Sequence, residues 1–380
     1  MRPVVICFAG DIWDANPHSR HHLMRRLAGD WEILFVEGVP MRGIATGDRY
    51  ELRRIARKLR AGSALRTVEP HLHALRPLPI PPLARAGRRA QVEALRLQVR
   101  RARRRLALEG PAVAWFSLPV AAPLLGRLRE SGSLFYYQDR YDAFSHVDAD
   151  RLRACVRRLA QGCDVSVASG RELAEDLVGL GADPVLVSHG VDLEHFAAPQ
   201  RVPVALETLE PPLVGCVGLI DDHLDLAAIR AVADGMPRGT VVLVGDSNTD
   251  PALLVHPRIH VVPRQPYEVM PAFLQAFDVC LVPFARTRLT VGVNPIKLRE
   301  YLAAGRPVVA TRLPEIEPYG DVVDLVEEGG DWAARVRSML EHGTDDEEAR
   351  VARRARVSGE SWDAVAERIE ALMLPLLGSR

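Results

Sequence analysis

Short apolar runs rich in β-branched residues alternate with segments of helical period along most of this chain. Because a strand buried on both faces is a continuous apolar run, this pattern predicts parallel strands joined by helices in right-handed βαβ units. The first half predicts strands at 4–9, 33–37, 112–116, 134–138, 165–168 and 185–187, and helices at 18–28, 91–108, 120–129, 149–161 and 171–180. The second half predicts strands at 213–217, 241–244, 259–262, 279–282 and 308–310, and helices at 224–234, 267–276 and 295–304.

The alternation breaks in residues 196–212, a proline-rich segment that predicts a linker. A chain of 380 residues is also long for one core. We therefore expect an α/β protein with two doubly wound, Rossmann-like domains, 1–195 and 213–361, facing each other across a cleft. An amphipathic helix within 362–380 could pack on either domain, and the proline- and arginine-rich region 41–82 has too weak a period for assignment.

The net charge is zero, but the charges are unevenly distributed. Residues 1–196 carry 30 basic and 22 acidic side chains, whereas residues 197–380 carry 19 and 27. The basic excess is concentrated between Arg49 and Arg105, which predicts attraction to something anionic. The five cysteines have no CxxC spacing, and no apolar run approaches a membrane-spanning length. We expect a reduced, cytoplasmic protein, with peripheral contact at the inner face of the cell membrane as an option.

Lysine is nearly absent from the chain. Lys58 and Lys297 are its two lysines, against 47 arginines. Lys297 lies near the predicted start of a helix, with Asn294 as the expected N-cap, Pro295 as the first helical residue and Glu300 one turn later. A helix N-terminus with a lysine favours phosphate, and the carboxylate can accept hydrogen bonds from a ribose diol. The pattern indicates a nucleotide site, although an ordinary exposed ion pair would have the same spacing.

The segment "NPIKLREYLAAGRPVVAT" resembles the nucleotide-diphosphate-sugar motif of bacterial GT-B glycosyltransferases, the retaining family that includes teichuronic-acid-type enzymes. Flanking blocks agree, so the resemblance extends from residue 112 to about 325. It implies that Lys297 contacts the donor diphosphate, that Glu300 contacts the ribose, and that other residues complete the donor site. These are Gly218 beside the phosphates, Arg264 and Gln265 at the base, and the backbone N–H groups of Val293, Asn294, Pro295 and Ile296 at the distal phosphate.

Two departures from the family pattern put a retaining mechanism in doubt. After Gly218 the chain reads "GLIDDHLD", where relatives usually have an arginine and a lysine. A glutamate usually found eight residues before the helix glutamate is replaced by Gly292. In the first half, "LFYYQDRYDAF" resembles the site of the catalytic aspartate in xanthan-type glucuronosyltransferases. Asp139 is therefore the predicted general base of an inverting transfer, with Asp142 as the second choice and pairing of Asp139 with Arg140 as the structural alternative.

The loop after the first predicted strand supplies polar residues for an acceptor. We expect the acceptor side to draw on Gly10, Asp11, Asn16, His21, His22 and His189, with a helix start holding one packed and one solvent-facing histidine as the alternative. The triplet Asp148–Asp150 is interpreted as helix capping rather than metal binding, and neither a Walker loop nor a Cys/His cluster is present. We expect no metal or other cofactor.

The most basic segment, from Arg85 to Arg105, lacks interleaved aromatic residues, so we expect an anionic membrane rather than nucleic acid as its partner. The function expected is metal-independent transfer of a sugar from a nucleotide-diphosphate sugar, with UDP favoured, to a glycan, glycolipid or small-molecule hydroxyl in glycoconjugate biosynthesis. Two alternatives stay open at this point. One is a nucleotide-sugar 2-epimerase, and the other is a non-enzymatic protein that binds nucleic acid or an anionic surface.

Overall fold

The computed structural model describes residues 1–38, 64–78, 84–145, 147–342 and 346–378, apart from the side chains of residues 84–88. The chain divides into two compact units. Unit 1 consists of Met1–Ser188 and Val365–Arg380, and unit 2 consists of His189–Ala364. Among the described residues, no helix has the length and apolar character needed to cross a membrane.

Unit 1 is built on an eight-stranded sheet with the order β3-β4-β2-β1-β5-β6-β7-β8. Its pairs are parallel except for β3 and β4, which form an antiparallel pair at one edge. The strands are β1 (Val4–Phe8), β2 (Glu32–Val36), β3 (Ala64–Glu69), β4 (Leu72–Arg76), β5 (Ala112–Phe116), β6 (Gly132–Tyr137), β7 (Val165–Ala168) and β8 (Pro184–Leu186). The helices are α1 (Ser19–Leu27), α2 (Ala84–Arg105), α3 (Ala149–Gly162) and α4 (Arg171–Val178), with short 3-10 turns at Pro119–Leu124 and Tyr141–Ala143.

Unit 2 contains a six-stranded parallel sheet with the order β11-β10-β9-β12-β13-β14. The strands are β9 (Leu213–Val217), β10 (Thr240–Val244), β11 (Ile259–Val262), β12 (Val279–Val282), β13 (Val308–Thr311) and β14 (Asp324–Val326). The helices are α5 (Leu193–Ala197), α6 (Leu226–Gly235), α7 (Met270–Ala276), α8 (Arg288–Val291), α9 (Ile296–Ala303), α10 (Trp332–Glu341) and α11 (Glu347–Arg356). The last helix, α12 (Trp362–Met373), begins in unit 2 and ends in unit 1.

Both faces of the unit 2 sheet are covered, which explains why its strands are continuous apolar runs. Val242 and Val244 pack into one core cluster, whereas Val241 and Leu243 pack into another on the opposite face. The apolar pattern consequently locates the central strands well. The predicted bounds of β5, β7, β9, β11 and β12 are those of the structure.

The pattern is wrong or silent where the structure departs from regular βαβ units. The helix predicted at 120–129 is a 3-10 turn at Pro119–Leu124, because Pro123 lies inside it and cannot donate a main-chain hydrogen bond. The region without assignment contains the β3–β4 pair, whose β3 residues are mostly half-buried. The linker segment is not structureless, since a 3-10 turn occupies Val204–Leu206. Residues 39–63 lie outside the described part of the chain, and 41–63 among them belong to the region without assignment.

Candidate functional site

The strand order of unit 2 creates a reversal point between β9 and β12. From this pair the chain winds outward in both directions, through β10 and β11 on one side and β13 and β14 on the other. Open parallel sheets bind ligands outside the carboxyl ends of their strands at such a point. Gly218 follows β9 directly, and Phe284 follows β12 by two residues. The loop after β9 and the start of α9 therefore form the candidate donor site.

Lys297 extends from the first turn of α9 to this loop. Its Nζ lies 4.9 Å from the centre of the Phe284 ring. A Cβ atom added to Gly218, whose φ is +126°, would lie 3.0 Å from the same Nζ. The Val217 N–H donates to Tyr301 Oη at 2.8 Å, which fixes α9 to the end of β9. The ammonium group thus lies at the reversal point, where a glycine leaves it room.

Glu300 lies one turn after Lys297 and is half-buried. Burial raises the pKa of its carboxyl to about 7, although the positive charge of Lys297 opposes this rise. Among the described residues, neither side chain forms an ion pair or a hydrogen bond. The ordinary i, i+3 ion pair that the sequence left open is therefore not present. The two side chains keep their hydrogen-bonding capacity for a ligand, with an ammonium donor for phosphate and a carboxylate acceptor for hydroxyl groups.

The start of α9 differs from the prediction. Pro295, not Asn294, is the N-cap residue, and no side chain caps the helix. Asn294 is buried, where its Nδ2 donates to Glu315 Oε2 at 3.2 Å and its Oδ1 accepts from Arg299 Nη1 at 2.5 Å. Local spacing predicted an N-cap, but the Asn294 amide forms hydrogen bonds with Glu315 and Arg299 instead.

Arg299 is a residue that the sequence reasoning missed. Its side chain is 2% exposed, and its Nε donates to Glu360 Oε2 at 2.6 Å. The same carboxylate accepts from Tyr319 Oη at 2.6 Å. A buried guanidinium needs such partners, because an unpaired charge is costly. This network anchors the first turn of α9, and the one available signal was an arginine on the inward face of a helix.

The main-chain donors near α9 are fewer than predicted. The Val293 N–H already donates to the Thr290 carbonyl at 3.1 Å, and Pro295 has no N–H. Ile296 supplies a main-chain donor from the predicted set of four. Ile296 and Lys297 are the first two helical residues, whose N–H groups have no intrahelical acceptor and can hold an anion.

Arg264 and Gln265 lie at the same edge of the sheet, in the turn after β11. Arg264 is exposed, with its Nη1 3.7 Å from Asp246 Oδ2. The Gln265 Nε2 donates to the Pro263 carbonyl at 2.9 Å. The structure thus places both residues on the donor side of unit 2, and their role at the base stays a prediction.

An acidic cluster follows Gly218. Asp221, Asp222 and His223 each offer one potential metal-ligand atom, and these atoms lie within 4.8 Å of one another. A hydrogen bond that His223 donates to Asp221 raises the pKa of His223, although burial opposes the rise. Burial disfavours the charged form of Asp221, yet His223 and Lys297 together lower its pKa. The cluster is therefore electrostatically part of the Lys297 site, and it could hold a divalent cation.

In unit 1, polar residues gather beyond the carboxyl ends of β1 and β6. Arg20 on α1 pairs with Asp11 at 2.5 Å and donates to Gln138 Oε1 at 2.6 Å. Burial disfavours the charged form of Asp11, but Arg20 and His18 outweigh it and lower its pKa. Asp139 follows Gln138, is half-buried and interacts electrostatically with Arg20. Asp11 and Asp139 thus both interact with the guanidinium of Arg20, and the exposed Gly10 precedes Asp11.

The two aspartates weighed as a base differ in accessibility. The Asp142 side chain is 5% exposed and pairs with Arg153 at 2.9 Å. Arg140, the neighbour weighed as a partner of Asp139, donates to Asp176 and Glu172 at 2.7 and 3.1 Å. The Asp139 main-chain carbonyl accepts the Tyr141 N–H at 2.9 Å. The assignment of Asp139 as the base stays a prediction.

The histidines of α1 are buried rather than presented to solvent. His21 Nδ1 accepts the His18 N–H at 3.0 Å and its ring packs on Trp13 and Phe35. Burial lowers the pKa of His21 to about 4 and that of His22 to about 3. The alternative in which one of the pair faces solvent is wrong, because both side chains are buried. Their role on the acceptor side stays a prediction.

The other predicted acceptor-side residues are scattered. Asn16 is half-buried in the loop before α1. His189 is buried near Trp362 in unit 2, with ring centres 6.1 Å apart. Asp148 caps α3 by accepting the Arg151 N–H at 3.1 Å, which confirms the interpretation of the Asp148–Asp150 triplet as a helix start.

Comparison with known proteins agrees with this geometry. Residues 211–342 match the family model described as "Glycosyl transferases group 1". The chain is 28% identical over 221 residues to the Bacillus subtilis (strain 168) protein TuaH, named as a teichuronic acid biosynthesis glycosyltransferase. That match covers 53% of this chain and 55% of TuaH, so the chain spans about half the length of this curated relative.

Solved structures share the whole fold. The sucrose-phosphate synthase of Thermosynechococcus elongatus superposes with a TM-score of 0.72 and 16% identity, with 100% of both chains covered. Anabaena Alr3699/HepE in complex with UDP-glucose gives 0.67 and 13%, covering 98% of this chain and 99% of its own. The chain therefore has the GT-B fold, and the match to the group 1 family model lies within unit 2. Neither the epimerase nor the nucleic-acid-binding alternative gains support from these comparisons.

Proposed function

We propose that this chain is a glycosyltransferase that moves a sugar from a nucleotide-diphosphate sugar, with UDP favoured, to a hydroxyl group of a glycan, a glycolipid or a small molecule. The observation that carries the proposal is the arrangement of Lys297 and Glu300. They lie one turn apart at the reversal point of the unit 2 sheet, with no hydrogen bond or ion pair among the described residues, inside the segment that matches the family model. The structure of Alr3699/HepE with UDP-glucose supports a UDP-sugar.

In this proposal unit 2 binds the donor. The Lys297 ammonium and the N–H groups at the start of α9 stabilise the diphosphate as negative charge develops on the leaving group. Glu300 in its charged form accepts hydrogen bonds from the ribose hydroxyls. Gly218 lets the phosphates approach the end of β9, because any side chain there would meet Lys297 Nζ.

Unit 1 supplies the base. Asp139 removes the proton of the acceptor hydroxyl while its oxygen attacks the anomeric carbon from the face opposite the diphosphate. The bond from the anomeric carbon to the phosphate oxygen breaks, the nucleoside diphosphate leaves, and the anomeric configuration is inverted. Support comes from the half-buried position of Asp139 beyond β6 and from the engagement of Asp142 by Arg153.

A transfer assay tests the chemistry. With UDP-sugars and an acceptor panel, Asp139→Asn should lower turnover by about 10²–10⁴-fold, because general-base assistance is lost. Asp142→Asn is the matched control and should retain turnover within a few-fold, since its carboxylate pairs with Arg153. NMR assignment of the product anomer decides the stereochemistry. A retained configuration, or less than about a tenfold loss in Asp139→Asn, contradicts the base assignment.

We also propose that transfer does not require a metal. The Lys297 charge and the α9 N-terminus supply positive potential at the diphosphate without a cation. Activity should then survive exhaustive treatment with EDTA. The Asp221–Asp222–His223 cluster makes this a real test, because loss of activity in EDTA, restored by Mg²⁺ or Mn²⁺ in the wild type but not in Asp222→Asn, would place a metal there.

The basic helix α2 is proposed to contact an anionic membrane. On its described part Val99 and Ala102 are buried against unit 1, whereas Arg101, Arg104 and Arg105 are exposed. At low salt the protein should sediment with vesicles that contain phosphatidylglycerol. Replacement of the three exposed arginines by glutamine should leave it in the supernatant. Equal binding by the triple variant would refute this contact.

A further inference from the structure

Unit 2 contains a cavity of about 290 Å³ that lies away from the Lys297 site. It is formed by residues 197–202, the end of α7, the end of α9 and one face of α11. Arg306 and the end of α7 precede the starts of β13 and β12, respectively. In a parallel sheet all amino ends of the strands lie on one side and all carboxyl ends on the other. This cavity lies at the amino ends of the strands, whereas the donor site lies at their carboxyl ends.

The lining of the cavity is cationic. Arg306, Arg350 and Arg354 line it, and none of its lining residues is acidic. Glu347 lies 3.8 Å from Arg350 Nη1, but this carboxylate is 72% exposed, so the pair is long and screened by solvent. Three guanidinium groups around one cavity repel one another, and a bound anion would relieve that repulsion.

Helix capping does not account for all three arginines. Arg306 Nη1 donates to the carbonyls of Gln275 and Phe277 at the end of α7, at 3.5 and 3.3 Å. At the end of α9, however, the last carbonyls already accept main-chain N–H groups, with the Gly305 N–H bound to Leu302 and the Arg306 N–H bound to Tyr301, both at 2.9 Å. Arg354 has no cap to make there.

Arg354 lines the cavity, and its Nε is a buried donor packed against Gly305. Its Nε is inaccessible to solvent and has no hydrogen-bond acceptor among the described residues. Gly305, with a φ of +75°, allows this approach, because a Cβ at that position would lie 3.2 Å from Arg354 Nε and 3.3 Å from Arg350 Cβ. A buried donor that lacks an acceptor is costly in a native protein, so a ligand anion that draws the Arg354 guanidinium into the cavity would relieve this cost.

We propose that this arginine cavity, lined by Arg306, Arg350 and Arg354, binds a phosphate group of a small soluble compound, separately from the nucleotide-sugar site. Guanidinium groups match the oxygens of phosphate through paired N–H donors, and three of them suit a multiply charged anion. The inference does not depend on the proposed glycosyl transfer, since none of the residues that line the cavity belongs to the donor site.

Calorimetric titration with inorganic phosphate and with pyrophosphate, at constant ionic strength, tests the proposal. The Lys297→Ala variant is used throughout so that the donor site does not contribute. Saturable binding is expected, and Arg350→Gln, Arg354→Gln and the double variant should weaken it, the double by at least about tenfold. Arg335→Gln, which removes an exposed arginine of α10 outside the cavity, is the matched control and should change nothing.

Three results would overturn the proposal. One is phosphate binding that is unchanged in the double variant while its thermal melting shows a folded protein. Another is an apparent affinity that follows chloride concentration alone, which indicates unspecific screening. The third separates the sources of phosphate: vesicles of phosphatidylglycerol that bind through Arg350 and Arg354, with no binding of inorganic phosphate or pyrophosphate, would identify a lipid headgroup instead of a soluble compound.

Discussion

The raised pKa of Glu300 predicts a specific pH dependence of stability. Burial raises this pKa from the ordinary 4.5 to about 7, against the opposing charge of Lys297. Between these two values the folded protein binds more protons than the unfolded chain, so the free energy of unfolding falls as the pH rises through this window. Above pH 7 the full cost of holding the charged carboxylate is present, and it amounts to about 3 kcal/mol at most.

Glu300→Gln removes this cost, because the amide has nearly the same shape and no charge. The variant should equal the wild type near pH 4.5 and exceed it increasingly up to pH 8. For a unit of this size, about 3 kcal/mol corresponds to roughly 6–12 °C in melting temperature. Comparing the two proteins at each pH cancels the titration of all other groups. Glu268→Gln, which replaces an exposed glutamate of unit 2, is the control and should show a constant difference.

The same substitution has the opposite effect on the donor. Charged Glu300 is the form that accepts ribose hydroxyls, so nucleotide affinity in the wild type should fall as the pH drops below 7, and in Glu300→Gln it should be weak and independent of pH. Differential scanning fluorimetry gives the stability curves and calorimetry gives the affinities. Parallel melting curves for wild type and Glu300→Gln from pH 4.5 to 8 would refute the reasoning.

Three further substitutions test the surroundings of the site. Gly218→Ala forces a residue with a Cβ to a φ of +126° and against Lys297 Nζ, so nucleotide affinity measured by calorimetry should fall by at least about tenfold; unchanged affinity would contradict the close approach. Arg299→Met removes the charged hydrogen bonds to Glu360 and Asn294, which should cost about 1.5–3 kcal/mol in chemical denaturation, and a loss below about 1 kcal/mol would contradict the network. Gly215→Ala places a Cβ 2.0 Å from the Phe277 ring, so its melting temperature should fall by several degrees, whereas an unchanged value would show that the ring moves aside.

Burial on both faces explains how much of the fold the sequence predicts. Strands such as β5 and β9 lie in the middle of a sheet, so their apolar runs end where the strand ends. The β3–β4 pair lies at an edge, with β3 mostly half-buried, and its mixed pattern resembles a loop. Pro123 shows a related limit, because the period of an apolar segment does not distinguish an α-helix from a 3-10 turn.

The site residues also divide into those that local sequence predicts and those that distant contacts determine. Lys297 and Glu300 were identified because their roles depend on helix spacing and on the end of a strand, which are local in sequence. Asn294 was misassigned because Arg299 and Glu315 take its amide, and Glu315 lies 21 residues away. The exposure of the α1 histidines was mispredicted for the same reason. Their burial comes from packing against Phe35 and other residues that no local pattern reveals.

The central claim is that unit 2 binds a nucleotide-diphosphate sugar through Lys297, and the most direct measurement is a thermal-shift panel. UDP, GDP, TDP and ADP, with their common sugars, are compared on the wild type and on Lys297→Ala. A ligand at 100 times its Kd should add about 2.7 kcal/mol, or roughly 5–10 °C in a unit of this size. Such a shift is expected with one nucleotide, UDP above the others, and it should be lost in Lys297→Ala. No shift with any nucleotide at millimolar concentration, or an equal shift in the variant, would contradict it.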